Sequence, residues 1–270
     1  MVIFPNCKIN LGLRVVRKRT DGYHDLQTIF YPLPLHDVLE IVDTPNDSTT
    51  IHTKGLPIKG PVEKNLCLRA YQLLKKDFPS LPPVSIHLYK NIPMGAGLGG
   101  GSSNGAACLQ LLNQKFQLGI PENDLIRYAL ELGSDCPFFI LNKPCYAEGR
   151  GEQMELIRLD LSAYEFLLVN PGIHVSTATA FGEIEPALPD SNLKDLVQQP
   201  IQNWKNQIIN DFEAPVFKKH PELAQIKSKL YDSGALYASM TGTGSTVYGV
   251  FERGAAPKGV FGGKGLEFRV

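Results

Sequence analysis

Between Gly95 and Gly101 five of seven residues are glycine, and Ser102 and Ser103 follow without a break. Glycine lets successive backbone N–H groups turn inward and approach an anion closely. The next residues, with Ala106, Ala107, Leu109, Leu111 and Leu112, read as a helix. The run therefore ends at a helix N-terminus, where unpaired donors and the positive end of the dipole favour negative charge. Two hydroxyls there can serve a phosphate, a Mg²⁺ ion or a helix cap. A flexible turn with Ser103 as an ordinary N-cap is the plain competitor. It leaves unexplained why so many glycines, each costly in chain entropy, are gathered at one place.

Three other motifs can be laid over this stretch, and each fits poorly. Gly95-Ala96-Gly97-Leu98-Gly99-Gly100 has the form G-x-G-x-x-G, but a dinucleotide site wants an acid about 20 positions on, closing a strand. Leu112 to Leu118 contains none. Gly101-Ser102-Ser103-Asn104-Gly105 has the form G-x-S-x-G, but a nucleophile elbow needs a strand running straight into its serine, and here glycines precede it. No Lys follows the glycines as a Walker loop requires.

The elements that must position this loop are set by patterning in a chain of 270 residues, long enough for one large domain or two moderate ones. Ile9, Leu11, Leu13 and Val15 alternate with polar residues and predict a strand over Lys8 to Val16. Leu26 to Leu35 and Asp37 to Val42 read as further strands, so the first 45 residues predict an antiparallel cluster. Asn65 to Phe78 reads as a helix, Val84 to Tyr89 as a half-buried strand, and Glu122 to Leu132 as a second helix after the loop. The change of character at Gly149-Arg150-Gly151 suggests a domain boundary, giving units 1–150 and 151–270. Beyond it, Glu165 to Asn170 reads as a buried strand, Pro186 to His220 as mainly helical but interrupted by Pro189, Pro200 and Pro215, and Leu223, Ile226 and Leu230 as one helix face. Thr241-Gly242-Thr243-Gly244 leads into an apolar strand, Thr246 to Phe251. The tail from Gly254 to Val270, with Gly262-Gly263-Lys264-Gly265, reads as a last strand or a partly mobile end.

Composition narrows the function. Hydrophobic residues are 43% and charged residues 20%, the profile of a globular chain. The 27 basic residues cancel the 27 acidic ones, so there is no global field to gather polyanions, and nucleic acid is not expected as a main partner. Cys7, Cys67, Cys108, Cys136 and Cys145 form no C-x-x-C pair and read as reduced intracellular thiols. The apolar start Met1 to Phe4 stops at Pro5 and no long apolar run follows, which predicts a soluble cytoplasmic protein with no membrane partner. The six histidines lie far apart, and no metal-ligand spacing is seen.

The string Pro93-Met94-Gly95-Ala96-Gly97-Leu98-Gly99-Gly100-Gly101-Ser102-Ser103-Asn104 resembles the phosphate loop of the GHMP small-molecule kinases. Pro5-Asn6-Cys7-Lys8-Ile9-Asn10-Leu11 is similar to their N-terminal motif, Gly133-Ser134-Asp135-Cys136-Pro137 to their catalytic acid motif, and Met240-Thr241-Gly242-Thr243-Gly244-Ser245 to their third motif. Order and spacing match across essentially the whole chain. Asp21-Gly22-Tyr23-His24-Asp25-Leu26-Gln27-Thr28 and Pro171-Gly172-Ile173-His174-Val175-Ser176-Thr177 look like a narrower branch, whose acceptor is a cytidine-diphosphate-linked sugar alcohol on the non-mevalonate route to isoprenoids. Asn6-Cys7 and Ser134 depart mildly from the family pattern, and neither change removes a group that the chemistry needs.

The resemblance implies an α+β, two-domain GHMP kinase fold, with an N-terminal ribosomal-protein-S5-like domain and a C-terminal ferredoxin-like domain. It implies ATP as co-substrate, with Mg²⁺ held by phosphates, water and one serine. Pro93 to Ser103 would hold the ATP phosphates, and Asn65, Leu66 and Lys90 would lie near adenine. Asp135 would be the base for the attacking hydroxyl and Lys8 its charge partner. Asn10 would orient the acceptor. Tyr23 and Phe181 would sandwich the cytosine, His24 would read its edge, Thr177 would help, and Thr241 and Gly242 would close on the phosphate loop or the substrate diphosphate.

Each residue also has a plainer reading. Alone, Asp135 would be a helix N-cap, Lys8 an exposed strand charge, Asn10 a surface amide, Asn65 an N-cap and Phe181 core. Tyr23-His24 could be an exposed turn pair, and Thr241 to Ser245 a hairpin turn. Three other functions remain on sequence grounds: a GHMP kinase for a mevalonate- or homoserine-like alcohol, a nucleotide-binding regulator without catalysis, and, third and least favoured, a Rossmann oxidoreductase. The Asp21 to Thr28 stretch argues against the first, and the presence of both Lys8 and Asp135 against the second.

Overall fold

A computed structural model describes residues 1–261 and 265–270; Gly262, Gly263 and Lys264, part of the tail singled out above, lie outside the described residues. The chain forms strands β1 (Val2–Ile3), β2 (Asn6–Lys18), β3 (His24–His36), β4 (Val38–Asp43) and β5 (Thr50–Gly55), helix α1 (Leu66–Asp77), strand β6 (Val84–Lys90), and helices α2 (Gly100–Phe116), α3 (Glu122–Leu132) and α4 (Cys136–Leu141). Then follow β7 (Cys145–Glu148), β8 (Gln153–Leu156), β9 (Tyr164–Asn170), α5 (Thr177–Gly182), α6 (Leu193–Leu196), α7 (Glu213–Lys219), α8 (Pro221–Asp232), β10 (Tyr237–Met240), β11 (Val247–Glu252) and β12 (Leu266–Arg269). Short 3-10 turns stand at Val62–Lys64 and Ile201–Asn206. Among the described residues no helix is long and apolar enough to cross a membrane. The α+β expectation holds.

The chain divides into two compact units and passes between them more than once. The first comprises Met1–Cys7, Pro34–Met94 and Gly99–Asn142. Its sheet has the order β1-β4-β6-β5, antiparallel except for the parallel β5–β6 pair. Leu39, Ile41, Val84, Ile86 and Leu88 point to the buried face, while Glu40, Ser85 and His87 alternate to the other side, as a period of two requires. Helices α1 and α2 pack closely: a Cβ on Gly105 would stand 2.9 Å from Leu66 Cβ.

The second unit comprises Lys8–Leu33, Gly95–Leu98 and Lys143–Val270. It holds most of the sheet β2-β3-β7-β8 and the whole antiparallel sheet β10-β11-β9-β12. Leu167, Val169, Val247 and Phe251 of the latter sheet share a buried cluster with Leu223 and Leu230 of α8, which realises the helix face expected from the sequence. Gly149-Arg150-Gly151 is the turn of the β7–β8 hairpin and lies inside this unit, with both glycines at positive φ.

The region Pro186 to His220 departs from its expected helical character. Only α6, the 3-10 turn and α7 form there, because Pro189 and Pro200 interrupt the ladder and the intervening runs are too short to repay helix nucleation. Strands β1, β5, β7, β8, β10 and β12 were not expected as such, apart from the general readings of the first 45 residues and of the tail. β10 is four residues long and buried throughout, so it shows no alternation to read.

Candidate active site

In the first unit the glycine run ends on α2. Gly99 is the N-cap residue, with φ 70° and no side chain to cap with, so the first-turn N–H groups are not taken up by a capping side chain. Gly95 and Gly97, which belong to the second unit, also have left-handed φ, 64° and 78°. Such a backbone can converge N–H groups on an anion. Ser102 is half-buried at the start of the helix, whereas Ser103 and Asn104 are buried.

A cavity of about 180 Å³ opens beside this helix end, lined by Ile51, Val62, Asn65, Leu66, Leu88, Met94, Gly101 and Asn104 among others. Its mostly apolar walls and few polar atoms suit a flat heteroaromatic ring. Asn65 and Leu66 are both among its lining residues. Asn65 is also the N-cap of α1, accepting from Cys67 N at 3.0 Å, as its plainer reading has it. Lys90 differs from expectation. Its side chain is 1% exposed, its ammonium pairs with Asp37, and it donates to Asn104 Oδ1 at 2.9 Å. Burial pulls this ammonium down from its ordinary value, against the opposing pull of Asp37. The side chain is engaged inside the unit and does not line the cavity.

Asp135 takes the N-cap position of α4, with φ −83° and ψ −15° in the helical region, and makes no side-chain cap bond. Pro137 in the first turn begins α4 without needing one. The half-buried carboxylate is thus not consumed in capping, which separates it from the plain reading of an N-cap. The next residue, Cys136, is buried, with its thiol in hydrogen-bonding reach of Ser102. Burial pushes this thiol up to about 12, so it remains protonated.

In the second unit, strand β2 presents Lys8 and Asn10 on one face, two residues apart. Both are buried, contrary to the reading of an exposed strand charge and a surface amide. Lys8 is 3% exposed. Its Nζ donates to Asn10 Oδ1 at 2.7 Å and lies 4.8 Å from the centroid of the Phe30 ring. The backbone N–H of Lys8 donates to Leu98 O at 3.0 Å, tying this strand to the glycine run. Asn10 Nδ2 donates to Thr28 Oγ1 at 2.9 Å, and Thr241 Oγ1 accepts from Asn10 N at 3.0 Å.

Thr241 also bonds the loop itself, its hydroxyl lying 3.0 Å from Gly97 O and 3.2 Å from Asn10 Oδ1. The approach is so close that a Cβ on Gly97 would fall 2.0 Å from Thr241 O, and one on Gly242 would fall 3.0 Å from Gly97 Cα. Thr241 and Gly242 thus stand against the part of the glycine run that belongs to their own unit. Asn210, which no sequence signal marked, fixes them from behind. Its Nδ2 donates to Met240 O at 2.7 Å and Gly242 O at 2.8 Å, and its Oδ1 accepts from Phe212 N at 3.0 Å. Glu213 accepts from Met240 N at 2.8 Å and from Lys227 at 2.6 Å.

The four residues assigned to a base-binding role lie in the same unit. Tyr23 is 56% exposed, with the Arg150 guanidinium 5.1 Å from its ring centroid. His24 stacks on Phe181, centroids 5.0 Å apart, and Phe181 meets Phe212 edge-on at 4.8 Å. Burial, with a smaller contribution from Lys18, lowers the pKa of His24, favouring a neutral imidazole. Thr177 starts α5, four residues before Phe181, and its hydroxyl is 3.3 Å from that of Thr243. His24 thus occupies one face of Phe181, while the Arg150 guanidinium lies over the Tyr23 ring.

The chain matches the GHMP kinases N terminal domain over residues 65–143 and the GHMP kinases C terminal domain over residues 190–261. It is 51% identical over 254 residues to a 4-diphosphocytidyl-2-C-methyl-D-erythritol kinase of Bacteroides fragilis (strain YCH46), covering 93% of this chain and 92% of that one. A crystal structure of 4-(cytidine 5'-diphospho)-2C-methyl-D-erythritol kinase superposes with a TM-score of 0.84 at 30% identity, over 100% of this chain and 98% of that one. A homoserine kinase from Cytophaga hutchinsonii superposes with a TM-score of 0.68 at 16% identity, over 93% of this chain and 87% of that one, a likeness of fold alone.

Proposed function

Because the chain belongs to the 4-diphosphocytidyl-2-C-methyl-D-erythritol kinase family of the GHMP kinases, we propose that it transfers the γ-phosphoryl group of ATP to the 2-hydroxyl of 4-diphosphocytidyl-2-C-methyl-D-erythritol. The product is the 2-phosphate, a step in isoprenoid precursor synthesis. ATP is the phosphoryl donor of this family.

Phosphoryl transfer asks chiefly for positioning and for neutralisation of charge. Adenine is assigned to the cavity beside Asn65 and Leu66, and the phosphates to the backbone N–H groups of Gly95 to Gly101 and the start of α2. Asp135 is assigned as the base that takes the proton of the attacking hydroxyl. Lys8 is the residue that most supports the reading. Its ammonium is buried and held by Asn10, on a strand whose backbone bonds Leu98 of the glycine run, and a fixed positive charge there would offset charge on the transferring phosphoryl group. Asn10, held by Thr28 and Thr241, orients Lys8 and the acceptor. Tyr23, His24, Thr177 and Phe181 are assigned to the cytidine end.

Mg²⁺ is proposed to enter with ATP. Among the described residues no three His, Cys, Asp or Glu side chains gather as a metal cage. The oxygen of Ser102 at the helix start suits a hard cation whose other ligands come from phosphate and water. When bound, the ion would neutralise phosphate charge. We place the enzyme in the cytoplasm, where its buried cysteines stay as thiols, and assign it neither nucleic acid nor membrane as partner.

The test is ADP release with ATP, Mg²⁺ and 4-diphosphocytidyl-2-C-methyl-D-erythritol, beside mevalonate and homoserine. Turnover with the cytidine compound alone is expected. Turnover only with a control would keep the phosphoryl chemistry and discard the acceptor. ATP binding without turnover on any of the three would leave a regulator.

A further inference from the structure

We propose that Asp37 is a positioning residue for the phosphate loop: one buried carboxylate that ties the entrance and the exit of the glycine run together. This rests on the reading of that run as the ATP phosphate site. Asp37 occupies the single-residue bend between β3 and β4 and is fully buried. Its Oδ1 accepts the backbone N–H groups of Asn91 at 2.7 Å and Ile92 at 2.8 Å, the two residues before Pro93. Its Oδ2 accepts the side-chain amide of Asn104 at 2.8 Å, immediately after Ser103, and also the Lys90 ammonium. Lys90 closes the ring by donating to Asn104 Oδ1 at 2.9 Å.

A glycine run has almost no side chains with which to pack, so its conformation must be imposed from its ends. Charge-assisted bonds in a dry surrounding are stiff and short, and four donors on one carboxylate saturate it. The ion pair also lies directly under the helix start: a Cβ on Gly100 would stand 3.2 Å from Lys90 Nζ and 2.8 Å from Ile92 Cγ2. The clasp therefore fixes both the path of Ile92 and the seat of Gly100. Catalysis by positioning is sensitive to small displacements of the donor phosphates. Loosening the clasp acts on ATP and turnover, and leaves recognition of the acceptor unchanged.

Removing Asp37 alone strands the Lys90 charge, so the test removes both. Asp37→Ala/Lys90→Met is expected to fold and to raise KM for ATP by about tenfold or more with lower kcat, while KM for the cytidine substrate stays within about twofold. Asp37→Asn/Lys90→Met keeps an acceptor for Asn91 and Ile92, and its amide N–H can donate to Asn104 Oδ1, which Lys90 has vacated, when the Asn104 amide turns over; it is expected to recover most of the ATP affinity. A folded Asp37→Ala/Lys90→Met enzyme with unchanged KM for ATP, or with both KM values rising together, overturns the proposal. Should that pair fail to fold, Asp37→Glu decides, since it moves the carboxylate by one methylene: raised KM for ATP alone supports the clasp, and unchanged KM for ATP overturns it. Gly99→Val, measured in parallel, separates the two layers. If it leaves ATP affinity intact, the loop assignment itself is at fault. If it abolishes ATP binding while the Asp37 variants do not alter it, the clasp alone falls.

Discussion

His24 lies nearly flat on Phe181, with ring centroids 5.0 Å apart and planes 21° from parallel. The pair joins the start of β3 to the helix α5, and it sets the apolar side of the proposed cytidine site. Stacked aromatic pairs are worth about 0.5–1.5 kcal/mol beyond area burial, so Phe181→Ala is expected to raise KM for the cytidine substrate by about threefold to tenfold and to spare KM for ATP. Steady-state kinetics with each substrate varied in turn checks this. Equal changes in both would remove Phe181 from the cytidine site.

The imidazole adds a pH dependence. Burial and Lys18 lower the pKa of His24 below its ordinary 6.5, so it is neutral at pH 7 and gains its proton only at lower pH. A neutral ring keeps one nitrogen able to accept from an exocyclic amine, and the protonated ring has none. KM for the cytidine substrate is therefore expected to be flat above pH 6.5 and to rise as the pH falls below it. His24→Gln should flatten that rise. A rise that persists in His24→Gln would assign the titration to another group.

Asp135→Asn tests the base. The carboxylate makes no cap bond to α4, so the substitution removes no helix cap. Turnover is expected to fall by about 10² to 10⁴, the usual range for a lost general base, with ATP binding nearly intact. Calorimetric titration of ATP beside single-turnover rates would separate the two effects. Retained turnover would take Asp135 out of the base role.

Two neighbouring glycines should differ sharply. Gly97→Ala would place its Cβ 2.0 Å from Thr241 O at a φ of 78°, whereas Gly101→Ala would meet only the flexible end of Met94 at 3.2 Å. The first is expected to lose most ATP-dependent turnover. The second should change the melting temperature little, though its methyl would border the adenine cavity. Parallel thermal melts and turnover assays on the two variants check this, and similar behaviour of both would argue against the tight contact with Thr241.

Asn210→Leu removes both donors to Met240 O and Gly242 O and the acceptor for Phe212 N. Leaving buried backbone groups unpaired costs about 1–3 kcal/mol each, so a loss of several kcal/mol in urea unfolding is expected. The residual folded enzyme should turn over slowly, because the Thr241 loop is no longer held against Gly97.

The glycine run and its Ser102-Ser103 helix start were legible in the sequence because so many glycines gather at one place, and the motifs around Lys8, Asp135 and Thr241 only through their resemblance to the GHMP kinases, since each alone has a plainer reading. Periodicity likewise revealed β2, β6, α1, α3 and α8, whose apolar faces repeat locally. Tertiary structure alone decided what those residues do with their side chains. Lys90 and Asp37 are 53 positions apart, and Asn210 lies 32 positions from Gly242. No local pattern encodes such pairings, since a buried amide or carboxylate finds its partners only when distant elements pack. The same holds for Lys8, whose strand position is compatible with either face. Its burial beside Asn10 follows from the sheet and the loop that cover it, and not from any residue next to it in the chain.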